Sequence, residues 1–200
     1  MAAREIHVSQ YTVDPGPPPV RRPPDRLVFD LDLDLDPGPG PGPGTTIVDC
    51  CRVAERLHDA LAADGLTAFA KTSGSKGMQL YCAITTDDPA ALSAYAKRLA
   101  QGLAHETPDR VTAVMAKTQR TGRVFIDWSQ NTIAKTTIAP YSLRGRDQPT
   151  VSTPVTWAEV RACRRPHQLV FTAENVFDRV AEHGDLLADL ASTRATLPLA

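Results

Sequence analysis

Alternation of apolar and acidic side chains marks the clearest strand in the chain. Residues 27–36 read LVFDLDLDLD, so leucine or phenylalanine occupies every odd position. Because successive side chains of a strand point to opposite faces, Asp30, Asp32, Asp34 and Asp36 share one face. We therefore predict a strand that buries one apolar face and presents carboxylates on the other.

Helical spacing of apolar residues predicts two long helices after this strand. Thr46 and Asp49 have the spacing of a capping box, and the apolar repeat that follows ends at Gly65. The second helix begins at Asp88-Pro89. The remaining predicted elements are strands at 66–71 and 78–84, a short helix at 108–118, strands at 124–127 and 135–141, and helices at 156–163 and 173–182.

The order of these elements predicts an α+β fold. Strand, helix, strand, strand, helix, strand is the ferredoxin-like or RRM-like βαββαβ unit, here with an additional strand and helices at the C-terminal end. We expect this unit to occupy residues 27–190, followed by a tail at 191–200. Residues 1–26 form a proline-rich segment, and we expect 12–26 to be an extended linker because proline lacks a backbone donor.

Composition limits the class of protein. The 200 residues are 42% hydrophobic and 22% charged, which is typical of a globular domain. No apolar run reaches the ~18 residues of a membrane span, and the first residues lack the apolar core of a secretory signal, so we expect a cytoplasmic protein. The four cysteines form no C-x-x-C pair, which gives zinc or redox chemistry little support.

Charge is unevenly distributed along a chain whose net charge is only -1. Residues 25–64 contain nine acidic and three basic side chains, whereas residues 117–165 contain nine basic and three acidic ones. One segment could hold cations and the other phosphate. The alternative is that both are solvated faces that pack against each other.

Carboxylates are the first candidate for chemistry. Two aspartates on one strand face repel each other, and a divalent cation with oxygen ligands would resolve that repulsion. In the βαββαβ order the first and last strands are neighbours, so Asp127 in FIDWSQN could complete a site of three carboxylates. The alternatives are a solvated polar face, a tandem repeat expansion, and an aspartate that caps a turn.

Phosphate recognition is the second candidate. SGSKG at 73–77 places small residues and Lys76 in a turn whose backbone N–H groups could cradle phosphate, although a plain hairpin turn is the alternative. Farther along, APYSLRGR contributes Arg144 and Arg146, whose guanidinium groups suit phosphate oxygens.

Four motifs in a fixed order carry a family resemblance. They are RLVFDLD, KTSGSKGMQLY, GRVFIDWSQN and KTTIAPYSLRGRDQPTVSTPVTWAEV, with EIHVSQ at 5–10 and LVFTAENVFDRVAEHGDLL at 169–187. Together they resemble the polymerase domain of bacterial ligase D, of the archaeo-eukaryotic primase superfamily. The resemblance covers essentially the whole chain.

The resemblance implies an end-joining DNA repair polymerase at the bacterial nucleoid. Such a domain adds nucleotides, preferably ribonucleotides, from NTP or dNTP to DNA ends, and it works with Ku and a DNA ligase. It uses two divalent metals, Mg²⁺ or Mn²⁺. Carried over by motif, the catalytic and metal-binding residues are Asp30, Asp32 and Asp127, and the nucleotide-binding residues are Ser73, Lys76, Gln79, Gln130, Arg144 and His7.

The family motif F-D-L-D-P-G is four residues longer here, which leaves two possible aspartate pairs. Anchoring at Phe29 selects Asp30 and Asp32, whereas anchoring at Pro37 selects Asp34 and Asp36. An even insertion keeps all four aspartates on one face. We favour the first pair, because sliding the strand would place carboxylates where an apolar neighbour belongs.

Two further departures bear on activity. Gln79 stands where the family has a histidine, and because glutamine cannot be cationic we expect weaker nucleotide binding. The family domain also continues N-terminally of residue 1, so the resemblance implies a truncated copy. The alternative function is a non-catalytic remnant that binds DNA ends or a repair partner. An RNA-binding module of the same topology is less favoured, because a row of aspartates would repel phosphate.

Overall fold

The computed structural model describes residues 5–33, 44–192 and 194–198. Asp34 and Asp36, the alternative aspartate pair, lie outside the described residues. The described strands are β1 (His7–Ser9), β2 (Tyr11–Asp14), β3 (Val20–Pro24), β4 (Arg26–Leu33), β5 (Ala68–Thr72), β6 (Met78–Thr85), β7 (Val111–Thr112), β8 (Val124–Asp127), β9 (Thr136–Ile138), β10 (Leu143–Arg144), β11 (Thr150–Val151), β12 (Pro154–Val155) and β13 (Ala195–Thr196). The α-helices are α1 (Ile47–Ala63), α2 (Pro89–Glu106), α3 (Trp157–Ala162) and α4 (Ala173–His183).

A central sheet organises the molecule in the strand order β12-β5-β6-β4-β8-β7, with β13 beside the end of β6. Strand β4 lies between β6 and β8 and pairs antiparallel with both. The succession β4, α1, β5, β6, α2, β8 is the predicted βαββαβ unit, and the mixed α and β architecture is confirmed. In the described part of the chain, no helix has the length and apolar character needed to cross a membrane.

The core lies between the helices and one face of the sheet. Leu27, Phe29 and Leu31 of β4 are fully buried there with the apolar faces of α1 and α2. Helix α1 begins where predicted: the Thr46 hydroxyl accepts from the Val48 N–H, and Asp49 accepts from the Thr46 N–H at 2.7 Å. Such a cap contributes about 1 kcal/mol.

Two predictions of local structure were wrong. The helix expected at 108–118 is instead β7 followed by a 3₁₀ turn at Lys117–Gln119. Two β-branched residues form β7, and they extend the sheet by pairing in parallel with β8. Residues 12–26 are not a simple linker, because β2 and β3 pair as an antiparallel hairpin. A two-stranded hairpin tolerates proline on its open edges, where no N–H is needed.

Candidate functional site

A row of polar residues crosses the sheet on the face opposite the helices. Lys71 of β5 pairs with Gln79 of β6, Gln79 pairs with Asp30 of β4, and Asp30 pairs with Asp127 of β8. Directly opposed residues of antiparallel strands project to the same side of the sheet. We call these four residues the polar row.

Within the polar row, the pKa of Asp30 departs furthest from its ordinary value. Its Oδ1 is buried and has no hydrogen-bond partner. Burial, with the nearby Asp32 carboxylate, raises the pKa of Asp30 to about 8, while the Gln79 amide that donates to it and the Lys71 charge oppose the rise. Solvent reaches Asp32, yet desolvation by the surrounding protein and repulsion from Asp127 raise its pKa as well.

Asp127 is oriented by the turn that follows β8. Its Oδ1 accepts from the Ser129 backbone N–H at 2.9 Å and from the Ser129 hydroxyl at 2.6 Å. Its Oδ2 accepts from the Gln130 amide nitrogen at 2.9 Å. Gln130, which we expected to contact a nucleotide, therefore supports Asp127, and its own Oε1 is buried without a partner.

Asn131 ties this turn to β4 and was not singled out from the sequence. Its Oδ1 accepts from the Val28 N–H at 2.8 Å, and its amide nitrogen donates to the Val28 carbonyl at 2.7 Å and the Trp128 carbonyl at 2.8 Å. The fully buried Asn131 amide thus gives the Val28 backbone the two hydrogen bonds that a neighbouring strand would supply, beyond the end of β8. This pairing holds the Asp127 end of β8 beside Asp30.

The donor chemistry of the three aspartates suits a hard divalent cation. Carboxylate oxygens are ligands for Mg²⁺ and Mn²⁺, and the buried oxygen of Asp30 that has no hydrogen-bond partner could take a cation as its partner. Within residues 5–33, 44–192 and 194–198, however, no group of three His, Cys, Asp or Glu side chains is arranged to hold a metal ion. Asp30, Asp32 and Asp127 share a face without forming a finished ligand set.

The SGSKG turn lies between β5 and β6 and packs against the aspartate strand. The Ser73 hydroxyl accepts from the Ser75 and Gly77 N–H groups at 3.3 and 3.1 Å, which organises the turn from within. A Cβ atom at Gly77 would lie 2.1 Å from the Leu31 carbonyl oxygen, so only glycine permits this approach to β4. Lys76 is exposed at the tip.

Two segments distant in sequence bring further basic side chains to the same place. The β10–β11 hairpin carries Arg144, whose guanidinium lies 3.2 Å from the Glu5 carboxylate, and Arg146, which donates to the Ser75 hydroxyl. His7 on β1 also contacts Glu5, at 3.3 Å. Strand β1 reaches this position because it pairs with β9.

A cleft of about 260 Å³ unites most of the predicted residues. Its walls include His7, Asp30, Asp32, Ser73, Lys76, Gln79 and Arg144. Asp127 and Gln130 border the polar row and are not among the lining residues. A larger cavity of about 660 Å³, between α1 and the end of α2, contains none of the predicted site residues.

Two basic side chains close to the aspartates, Lys71 and Arg120, were not predicted as site residues. Lys71 is fully buried, and burial lowers its pKa to about 7. The Arg120 guanidinium lies 3.6 Å from the centre of the Phe125 ring, and its charge opposes the rise in the pKa of Asp32 that burial causes. The only hint of Lys71 in the sequence is one charged residue within the apolar strand AFAKT, directly before the turn.

Comparison with known proteins identifies the family. The profile described as "LigD, primase-polymerase domain" matches residues 1–187 of this chain. The chain belongs to the LigD primase-polymerase domain family. It is 43% identical over 190 residues to the multifunctional non-homologous end joining protein LigD of Mycolicibacterium smegmatis, and 44% identical over 195 residues to the LigD of Mycobacterium tuberculosis. The resemblance drawn from the four motifs is confirmed.

A solved structure of this family agrees with the fold. The polymerase domain from Mycobacterium tuberculosis Ligase D, in complex with DNA, matches with a TM-score of 0.80 and 43% identity over 96% of this chain and 65% of that chain. The two mycobacterial LigD proteins are matched over 94% of this chain but only 23% and 24% of their own length. The chain therefore spans about a quarter of these LigD relatives.

Proposed function

We propose that this LigD primase-polymerase domain is a metal-dependent nucleotidyltransferase that adds ribonucleotides or deoxyribonucleotides to DNA 3′ ends. One observation carries the proposal. The Asp30–Asp127 strand pair, with its unpartnered buried oxygen, lies beside a glycine-rich turn and several cations in the same part of the molecule. Carboxylates beside a phosphate-binding turn are the combination that transfer of a nucleotidyl group needs.

Asp30, Asp32 and Asp127 would hold Mg²⁺ or Mn²⁺. When bound, the metal neutralises charge on the phosphates and favours ionisation of the attacking hydroxyl. Asp127 is suited to this role because Ser129 and Gln130 fix both of its oxygens from the side of the turn. Because burial and the Asp32 charge raise the pKa of Asp30 to about 8, a metal ion that binds near neutral pH would displace a proton from Asp30.

The triphosphate would lie over the SGSKG turn. Lys76 and Arg144 both line the cleft and supply positive charge, and the Ser73 hydroxyl retains a donor for a phosphate oxygen. His7 also lines the cleft. Gln79 is less suited to phosphate, because its amide already donates to Asp30 and accepts from the Tyr81 hydroxyl at 3.0 Å.

The partners follow from the same family membership. DNA ends are the proposed nucleic-acid substrate, since the solved relative is a complex with DNA. Ku and a DNA ligase are the proposed protein partners, and the bacterial nucleoid is the proposed location. The basic residues between 117 and 165 supply charge for a DNA backbone.

A second candidate function is DNA-end binding without catalysis. It is favoured by the side-chain arrangement, in which both oxygens of Asp127 already accept hydrogen bonds from Ser129 and Gln130 and the three aspartates do not converge as ligands. In that case the basic residues between 117 and 165 would still bind DNA, and the cleft would have lost its catalytic role.

Primer extension distinguishes the two functions. The purified chain is incubated with a recessed DNA primer, ribonucleotides and Mn²⁺, and products are resolved to single nucleotides. We expect extension by wild type and by Asp109→Asn, an exposed carboxylate outside the cleft, and its loss in Asp127→Asn. A gel-shift titration with the same DNA accompanies the assay. DNA binding without extension by wild type would contradict catalysis and support the second function.

A further inference from the structure

Lys71 is the least expected side chain in the sheet. It is fully buried, although burial removes an ammonium group from water and a methionine would fill similar space without that cost. Its Nζ donates to the Ser152 hydroxyl at 2.6 Å and lies 5.6 Å from the centre of the Tyr81 ring. Because burying its amino group is unfavourable, we expect Lys71 to have a role that an apolar residue could not perform.

Ser152, the hydrogen-bond partner of Lys71, connects three segments of the site. Its hydroxyl donates to the Thr72 carbonyl at 3.0 Å, directly before the SGSKG turn. Its backbone N–H donates to the Ser142 carbonyl at 2.9 Å, and its carbonyl accepts from the Tyr141 N–H at 2.7 Å. Ser152 therefore holds the start of the β10–β11 hairpin to the end of β5.

The bonds to Ser152 also restrain Tyr141, which lies just before β10 and adopts a disfavoured backbone conformation. Tyr141 has φ 63°, in the left-handed region that non-glycine residues rarely occupy. Packing against the turn is equally tight: a Cβ at Gly74 would lie 2.6 Å from the Ser152 nitrogen and 2.9 Å from the Arg144 Cγ. A small shift of Ser152 would therefore displace Arg144 relative to the turn.

We propose that Lys71 is a positioning residue for nucleotide binding, which holds Ser152 and through it the Arg144 hairpin against the SGSKG turn. This inference rests on the proposed function of the cleft. Lys71 does not touch the nucleotide; its ammonium restrains Ser152 from beneath, so that Arg144 faces the triphosphate in a preorganised position.

Amide hydrogen exchange on the nucleotide-free protein tests the holding role first. In Lys71→Met we expect the Tyr141 and Ser152 amides to exchange about tenfold faster or more, because their local opening becomes easier. The amides of the β2–β3 hairpin should not change. Lys97→Met, the same chemical change at an exposed position of α2, is the control. Unchanged exchange at Tyr141 and Ser152 would overturn the proposal.

A double-mutant cycle on nucleotide affinity tests the positioning role. Binding of a fluorescent ATP analogue with Mg²⁺ is measured for wild type, Lys71→Met, Arg144→Ala and the double variant. We expect Lys71→Met to weaken binding about tenfold when Arg144 is present and less than about twofold when it is absent. Equal weakening in both backgrounds would indicate general loosening and overturn the proposal.

Two further outcomes are possible: Lys71→Met does not fold, or wild type binds no nucleotide. If Lys71→Met does not fold, Ser152→Ala replaces it in both measurements with the same expectations, because it removes the same hydrogen bond with a smaller change. If wild type binds no nucleotide, the proposed function of the cleft is overturned, while hydrogen exchange still decides whether Lys71 holds the hairpin. Nucleotide binding by wild type with unchanged exchange in the variant overturns the Lys71 inference alone.

Discussion

Replacing Asn131 with alanine should destabilise the protein more than any surface substitution. The amide satisfies the N–H and the carbonyl of Val28 at 2.8 and 2.7 Å, and both residues are fully buried. Asn131→Ala leaves those two backbone groups without partners. Each unsatisfied buried group costs about 1–3 kcal/mol, so we expect a loss of about 3–4 kcal/mol. For a chain of this size that corresponds to about 10 °C in Tm.

Thermal and urea unfolding followed by circular dichroism measure this loss. Gln101→Ala is the matched control, because it removes an exposed amide from α2 and should change stability by less than about 0.5 kcal/mol. A single transition in each protein is required for the comparison. If Asn131→Ala lost less than about 1 kcal/mol, the amide would not be a replacement strand neighbour, and our account of how Asp127 is placed would fail.

Three further results are expected. Because burial raises the pKa of Asp30 from 3.8 to about 8, folded protein binds this proton more tightly than unfolded protein. The unfolding free energy of metal-free protein should therefore fall as the pH rises from about 3.8 to about 8, by at most about 1.4 kcal/mol per pH unit. Asp30→Asn should flatten this slope. Gly77→Ala should cost about 1–3 kcal/mol by forcing a Cβ against Leu31, whereas Gly102→Ala, in open space on α2, should stabilise; equal effects would refute the close approach. Lys76→Ala should leave Tm unchanged and weaken binding of ATP with Mg²⁺, and unaltered affinity would remove Lys76 from the site.

The βαββαβ unit was predictable because its signals are local. Strict alternation of apolar and acidic residues predicts strand β4, and α1 begins at a capping box that involves only Thr46 and Asp49. Such patterns need no knowledge of distant residues. The predicted neighbourhood of Asp30 and Asp127 also follows from topology, since the first and last strands of this unit pair in the sheet.

The parts of the site that escaped prediction depend on pairing between distant segments. Lys71 joins the polar row only through the register of β5 on β6, and its partner Ser152 lies 81 residues away. Asn131 has meaning only beside Val28, 103 residues away. Gln130 stays a predicted nucleotide contact, and its hydrogen bond to Asp127, three residues back along the chain, was not predicted. Such contacts cannot be predicted from the composition of the chain or the spacing of its residues.

The hairpin formed by β2 and β3 shows a limit of composition as a guide. The prolines between residues 15 and 24 exclude helix and central strand, and the structure obeys that exclusion. An isolated two-stranded ribbon was still open to the segment, because alternate N–H groups face away from the partner strand.

Primer extension with aspartate variants tests the central claim most directly. Wild type, Asp30→Asn, Asp127→Asn and Asp34→Asn are compared on a recessed DNA primer with ribonucleotides and Mn²⁺. We predict that wild type and Asp34→Asn add nucleotides, and that Asp30→Asn and Asp127→Asn fall to the background of a reaction without protein. Extension lost only in Asp34→Asn would contradict the Asp30–Asp127 site, and background signal from all four would contradict catalysis by this chain.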